Sequence, residues 1–193
     1  MPAKKKKIPK KHIAAFTALV LTLGAEHLND MSHEGSKVSR WEAKVLVDDE
    51  ASNIDFKPEH TTIHWLAAQK TEPASSKKPR QPIELKTYSV ECTIAEYLYE
   101  EDGDIHLVLK SGDEELIGEI PLPYYPTAEH SPYQKKFIKA RKEFHKLVDN
   151  DPRFMIRKVI VTGVGFVDKP HGQTGKADNN LELHPVLSIV PKK

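Results

Sequence analysis

The sequence predicts a mostly β protein with one main helix, a five-stranded OB-fold barrel preceded by an N-terminal extension. Three observations predict it. Residues 84–193 read in the order strand, strand, strand, helix, strand, strand. Tight turns join the first three strands, as a meander requires. The one strongly helical segment falls between the third and fourth strands, where it can plug one end of a barrel. The plain competitor is another small α+β sheet protein.

The first strand, residues 87–99, sends Tyr88, Val90, Cys92 and Ile94 to one face and Ser89, Glu91 and Thr93 to the other. Its phase blurs across Ala95, Tyr97 and Tyr99, the mark of a bent or bulged strand. Asp102-Gly103 is a strong turn pair. The second strand, 105–110, points Ile105, Leu107 and Leu109 inward and His106, Val108 and Lys110 outward. Ser111-Gly112-Asp113 turns the chain into the third, 115–120. Ser131 as N-cap and Pro132 at the first helical position open the helix. Tyr133, Phe137, Ala140, Arg141, Phe144, Leu147 and Val148 make its mainly apolar stripe, and Asn150-Asp151-Pro152 ends it. Residues 156–167 and 181–190 are the last two strands. Gly163-Val164-Gly165 sits mid-strand with no helix after it, so it reads as close packing rather than a phosphate loop.

Upstream, six Lys in residues 1–11 precede an uncharged apolar stretch at 13–25. That is the layout of a secretory signal, with residues 1–25 removed. A short uncleaved anchor and a cytoplasmic basic tail remain the alternatives. Residues 26–69 read as an arm with a short helix around Ile63, Trp65 and Leu66, and the Pro/Ser/Lys-rich residues 70–83 as a linker. No apolar run reaches the ~18–20 residues of a comfortable membrane span.

The formal charge of +1 over 193 residues averages unlike parts. Without the six N-terminal Lys, residues 26–193 hold 23 basic against 28 acidic residues, a balance of −5. A mildly acidic body has no general attraction for phosphate backbones, which argues against nucleic acid as partner. One Cys, Cys92, excludes an internal disulfide and a Cys-based zinc cluster.

In an OB barrel the loops after the first and fourth strands flank the ligand face. Here the first carries Asp102 and Asp104, with His106 one step into the strand; the other carries His171, Gln173 and Thr174. Alternation in the last strand keeps Leu181 and Leu183 in the core and sets Glu182 and His184 together outside. These eight residues form the candidate ligand site. Imidazole with carboxylate suits a divalent metal (zinc, manganese or calcium), with His106, His171 and His184 as ligands and Glu182 as the candidate catalytic group activating a water. The same set can hold a polar small molecule or an oligosaccharide by hydrogen bonds. Against this stands ordinary turn chemistry at Asp102-Gly103-Asp104, a positive φ at Gly172 and Gly175, and His184-Pro185 as an edge-strand mark. Tyr124 and Tyr125, among Pro121, Pro123 and Pro126, offer a stacking platform for a ring or pack their own loop.

Residues 101–109 (EDGDIHLVL), 119–121 (EIP), 161–168 (VTGVGFVD) and 171–186 (HGQTGKADNNLELHPV) resemble a group of uncharacterised bacterial exported proteins. The resemblance covers residues 60–190 and implies the fold and export without an activity. The strand–Asp-Gly-Asp–strand at 94–109 is similar to the opening of staphylococcal-type nucleases, OB-fold enzymes that use calcium. That similarity implies Asp104 as a metal ligand. The chain departs from it at Gly118-Glu119-Ile120-Pro121-Leu122-Pro123, where the catalytic Arg and acidic stretch of that family are missing. The reading is an exported ligand-binding module, periplasmic or extracellular. Its alternative is a metal-dependent hydrolase of the phosphodiesterase or nuclease kind.

Overall fold

In the computed structural model of the protein, the described residues are 40–75, 78–170 and 172–192. The expected export signal and His171 lie outside them. The described residues belong to one compact unit. Its elements in chain order are α1 (Arg40–Lys44), β1 (Asp55–Thr61), α2 (Ile63–Ala67), β2 (Lys86–Tyr99), β3 (Ile105–Ser111), β4 (Glu114–Ile120), α3 (Pro126–Glu129), α4 (Gln134–Asn150), β5 (Val159–Val167) and β6 (Leu181–Pro191).

The sheet runs β1-β2-β3-β4-β6-β5 and closes because β5 also pairs with β2. β2 to β6 thus form a closed five-stranded barrel with the OB-fold strand order, and α4 packs against β6. The barrel fills from alternate residues: Tyr88, Val90, Cys92 and Ile94 from β2, Ile105, Leu107 and Leu109 from β3, Leu181, Leu183, Val186 and Ile189 from β6, capped by Ala140, Phe144 and Leu147 of α4. The blurred phase of β2 has its cause in a bulge: Ile94 pairs with Leu109 but Glu96 with Val108, so Ala95 is the extra residue. Gly163 and Gly165 are packing glycines. A Cβ at Gly165 would lie 2.4 Å from the Ile83 carbonyl oxygen, and one at Gly163 would lie 2.9 Å from Leu183 Cβ.

Three local expectations are corrected. Helix α4 begins at Gln134, and the Ser131 hydroxyl accepts the Tyr133 amide (3.2 Å) in the turn before it. Residues 154–156 form a 3₁₀ turn, so β5 starts at Val159. β6 lies between β4 and β5, so His184-Pro185 marks no sheet edge.

The arm is part of the fold. β1 pairs in parallel with the N-terminal half of β2, whose other side pairs with β5; the C-terminal half of β2 pairs with β3. Neither β1 nor α1 shows in the hydrophobic pattern, because their order comes from docking onto the barrel. Helix α2 was expected; the Thr62 hydroxyl caps it by accepting the Trp65 amide at 3.0 Å. Val45, Leu46, Ala51 and Ile54 form a second core with Val164 and Leu187 from the outer side of the barrel and with Ala128 and Phe137. The Pro-rich stretch 70–83 is likewise anchored. Arg80, fully buried, donates to Asp48 through Nε (3.0 Å) and Nη2 (2.6 Å) and to the Ala43 carbonyl (2.7 Å). Among the described residues no helix is long and apolar enough to cross a membrane.

Two outcomes follow from burial. Arg80→Ala leaves the Asp48 carboxylate buried without its partner, and urea unfolding will show a loss of about 3–5 kcal/mol. Cys92, buried on the barrel side of β2, has its thiol pushed up to about 12 by burial and by the Glu91 charge. A thiol reagent at pH 8 will leave it unmodified in the native protein and will modify one thiol per chain in urea.

Candidate functional site

The meander brings the first site residues together. The turn at Ser111-Gly112 sets β3 and β4 in a register that pairs His106 with Glu119, both on the outer side of the barrel. β6 runs beside β4 with Leu183 against Gly118, which carries Glu182 and His184 to the same outer side. The Asp102–Asp104 turn closes the near end. The Asp102 carboxylate accepts the Asp104 amide (3.0 Å), and Asp104 Oδ1 accepts the Leu122 amide (2.7 Å).

Glu119 is the centre of the cluster. Its Oε1 lies 3.3 Å from His106 Nδ1 and its Oε2 lies 2.8 Å from His184 Nδ1. Glu182 Oε1 lies 3.3 Å from that same His184 nitrogen. His106 Nε2 faces the Thr174 carbonyl at 3.1 Å, so both nitrogens of His106 meet acceptors; burial disfavours its charged form, but the hydrogen bond and charge of Glu119 outweigh that and raise the imidazole above its ordinary value. Gln173 Nε2 donates to Glu119 (3.3 Å) and Glu100 (3.2 Å). Lys44 reaches in from α1, 3.6 Å from Glu119 and 3.2 Å from Asp168, and its ammonium stands 5.7 Å from the Phe166 ring centre. Beside it Arg40 lies over that ring at 4.1 Å and bonds Glu84 and the Val167 carbonyl.

All of this is inside. Asp104, His106, Glu119, Glu182 and His184 expose 3% or less of their surface. The β5–β6 loop seals the face through Gly175, whose φ of +82° and close approach to Val108, 2.7 Å from where a Cβ would lie, both call for glycine. The nearby crevice has room for about one water, ≈ 10 Å³, between Gln173, Lys176, Asp168, Ile117 and Glu182.

Burial pushes Glu119 up, but the His184 charge, hydrogen bonds from both imidazoles and Lys44 overcome it and hold the carboxyl well below its usual range. Burial disfavours the His184 imidazolium; Glu119 and Glu182 outweigh it and raise the group to about 10. Burial, with Glu119 repulsion, lifts Glu182 to about 6, and burial lifts Asp104 to about 7 against the attraction of His184. Lys44 is raised despite burial by Glu119, Glu182 and Asp168.

Of the expected site residues, Asp104, His106, Gln173, Glu182 and His184 converge. Thr174 contributes its backbone carbonyl, and its side chain is at the surface. Asp102 stays half-buried on the rim. Of the three imidazoles expected as metal ligands, His106 and His184 are among the described residues and His171 is not. His106 has both nitrogens committed, and Glu119 lies between it and His184. Glu119, Glu100, Lys44 and Arg141 were missed. Alternation in β4 and the short turn before it made Glu119 readable as the partner of His106. Arg141, expected at the edge of the helix stripe, donates to the Gly103 (3.0 Å) and Ile120 (3.2 Å) carbonyls and fastens α4 to the turn. Lys44 had no local signal.

No protein-family model matches this chain, and no curated protein matches it. Among solved structures it is similar to a crystal structure from Leishmania major Friedlin assigned as an aspartyl-tRNA synthetase, at 13% identity and a TM-score of 0.40, over 72% of this chain and 22% of that one. It is also similar to the asparaginyl-tRNA synthetase of Entamoeba histolytica, at 14% identity and a TM-score of 0.36, over 55% of this chain and 20% of that one. The chain thus spans about a fifth of the length of those structures. The OB-fold assignment rests on the strand order of the closed barrel.

The pH dependence of stability has a definite sign. Asp104 and Glu182 are raised above the ordinary 3.8 and 4.5, so each costs stability as pH climbs through about 7 and about 6. His184 contributes fully below 6.5 and loses its contribution as pH rises through about 10. Glu119, held low, loses its contribution only on acidification below the ordinary 4.5. The urea midpoint measured with chelator present will be higher at pH 5 than at pH 8.5; a midpoint that climbs over that interval contradicts the cluster as described.

Proposed function

We propose that this protein is an exported, non-catalytic OB-fold binding module that takes a hydroxyl-rich ligand, such as an envelope oligosaccharide, on the rim around the Asp102–Asp104 turn. The observation that carries the reading is the division of the polar residues into two sets. The inner set is paired within itself and sealed, and the outer set is left for a ligand. On the rim, Tyr124 exposes 65% of its surface, next to the segment whose Leu122 packs on Gly103. The turn on which Leu122 packs carries Asp102, with Glu100 and Glu101 just before it, and Gln173 donates to Glu100 at 3.2 Å. A flat aromatic face takes the C–H side of a sugar ring while acceptors take its hydroxyls. The acidic surroundings repel phosphate, in keeping with the −5 balance of residues 26–193.

Hydrolysis asks for a carboxylate that a water and a substrate can both reach. The Glu182 carboxylate is instead buried and held by His184. The signal-like residues 1–25 and the resemblance to exported bacterial proteins support an envelope destination.

The test is co-sedimentation of the full chain with insoluble peptidoglycan. Retention should be nearly equal at 50 and 500 mM NaCl, and Tyr124→Ala should weaken it about tenfold while leaving the far-UV spectrum unchanged. Retention on single-stranded DNA that falls steeply with salt, with none on the glycan, would overturn the proposal. Protein recovered from a bacterial host should have an intact mass that lacks about the first 25 residues.

A further inference from the structure

Beneath the rim, the His184 ring is fully buried, and its Nε2 has no hydrogen-bond partner. A buried imidazole nitrogen without a partner costs about 1–3 kcal/mol, so such atoms call for a reason. The carboxylate oxygen it faces is Asp104 Oδ2, at 3.7 Å. That gap is too long for a hydrogen bond. It matches the spacing of two donors around a single ion, because metal–ligand bonds of about 2.0–2.2 Å set neighbouring donors about 3–4 Å apart. Asp104, Glu119 and His184 each bring one ligand atom within 4.8 Å of the others, and all three are buried.

We propose that His184 Nε2 and Asp104 Oδ2 hold one divalent cation of the zinc or manganese class, with Glu119 orienting the His184 ring from its Nδ1 side. The surroundings fit such a site. The Nδ1–H of His184 donates to Glu119 Oε2 at 2.8 Å, which fixes the tautomer that leaves Nε2 as a ligand. Asp104 is aimed from its other oxygen by the Leu122 amide. The carboxylates of Asp104, Glu119, Glu182, Glu100 and Asp168 outnumber Lys44 and the imidazoles of His106 and His184 around them, and an ion at Nε2 takes the place of the proton there, so its charge enters a surplus of acidic groups. The mixed nitrogen and oxygen donors favour zinc or manganese over calcium, which takes six to eight oxygens. The second group with metal-like spacing, Glu100, His106 and Glu119, lacks this feature, since both His106 nitrogens are already engaged. The site lies inside the cluster, so the proposal stands or falls independently of whether the rim takes a glycan.

The experiment uses the full chain, stripped with chelator and desalted. Substoichiometric MnCl2 should broaden the backbone amides of Asp104–His106, Glu119–Ile120 and Glu182–His184 ahead of all others. Equimolar ZnCl2 should raise the melting temperature by about 5 °C or more, and His184→Gln and Asp104→Asn should abolish the rise. Broadening confined to surface histidines such as His60, His64 and His130, or no selective broadening at all, would overturn the site. The wild-type broadening decides the matter even if either variant fails to fold.

Discussion

The structure depends on one carboxylate. Glu119 stands on the outer side of β4 with an imidazole on each of its oxygens and an ammonium within 4 Å. A charge in that position is tolerable only when it is paired, because bare burial costs several kcal/mol. Each partner comes from a different stretch of chain: His106 from β3, His184 from β6, Lys44 from α1. Satisfying Glu119 therefore brings together segments that local sequence preference would leave independent. His106 in turn holds Thr174, and so the long β5–β6 loop is drawn down onto the face. The ionic cluster specifies an arrangement; the apolar interior of the barrel supplies most of the driving force.

The consequence is an unusual use of the barrel's exterior. In other OB folds the face around the second and third strands meets ligands. Here residues 40–56 cover the outer side of β5 and β6 through the second core, and the β5–β6 loop covers Val108 and His106. The rim, where the loop ends and the Asp102–Asp104 turn meet solvent, stays uncovered.

The barrel was legible because it follows from local rules. Alternation in β2, β3 and β6 assigned the interior residues, Asp102-Gly103 and Ser111-Gly112 placed the turns, and the apolar stripe of α4 placed the plug. Half of the site was legible for the same reason: once Leu181 and Leu183 face inward, Glu182 and His184 must face outward together. Burial of these residues was not legible, since alternation gives the side of a sheet and says nothing of what lies over it. Lys44 and Arg80 carry no pattern of their own. They are single charged residues in irregular stretches, and their partners lie 75 and 32 positions away along the chain. β1 is seven residues with Pro58 in the middle and mostly exposed side chains, so nothing but its pairing with β2 makes it a strand.

That pairing has a consequence for how the chain can be divided. With residues 40–62 cut away, the N-terminal half of β2 would show a row of unsatisfied amides and carbonyls to solvent, and Val164 and Leu187 would lose their cover. An open strand beside an uncovered greasy surface is a template for other chains. The minimal five-stranded fragment, complete by topology, would be prone to aggregate. In the intact chain residues 40–62 cover both that edge and that surface.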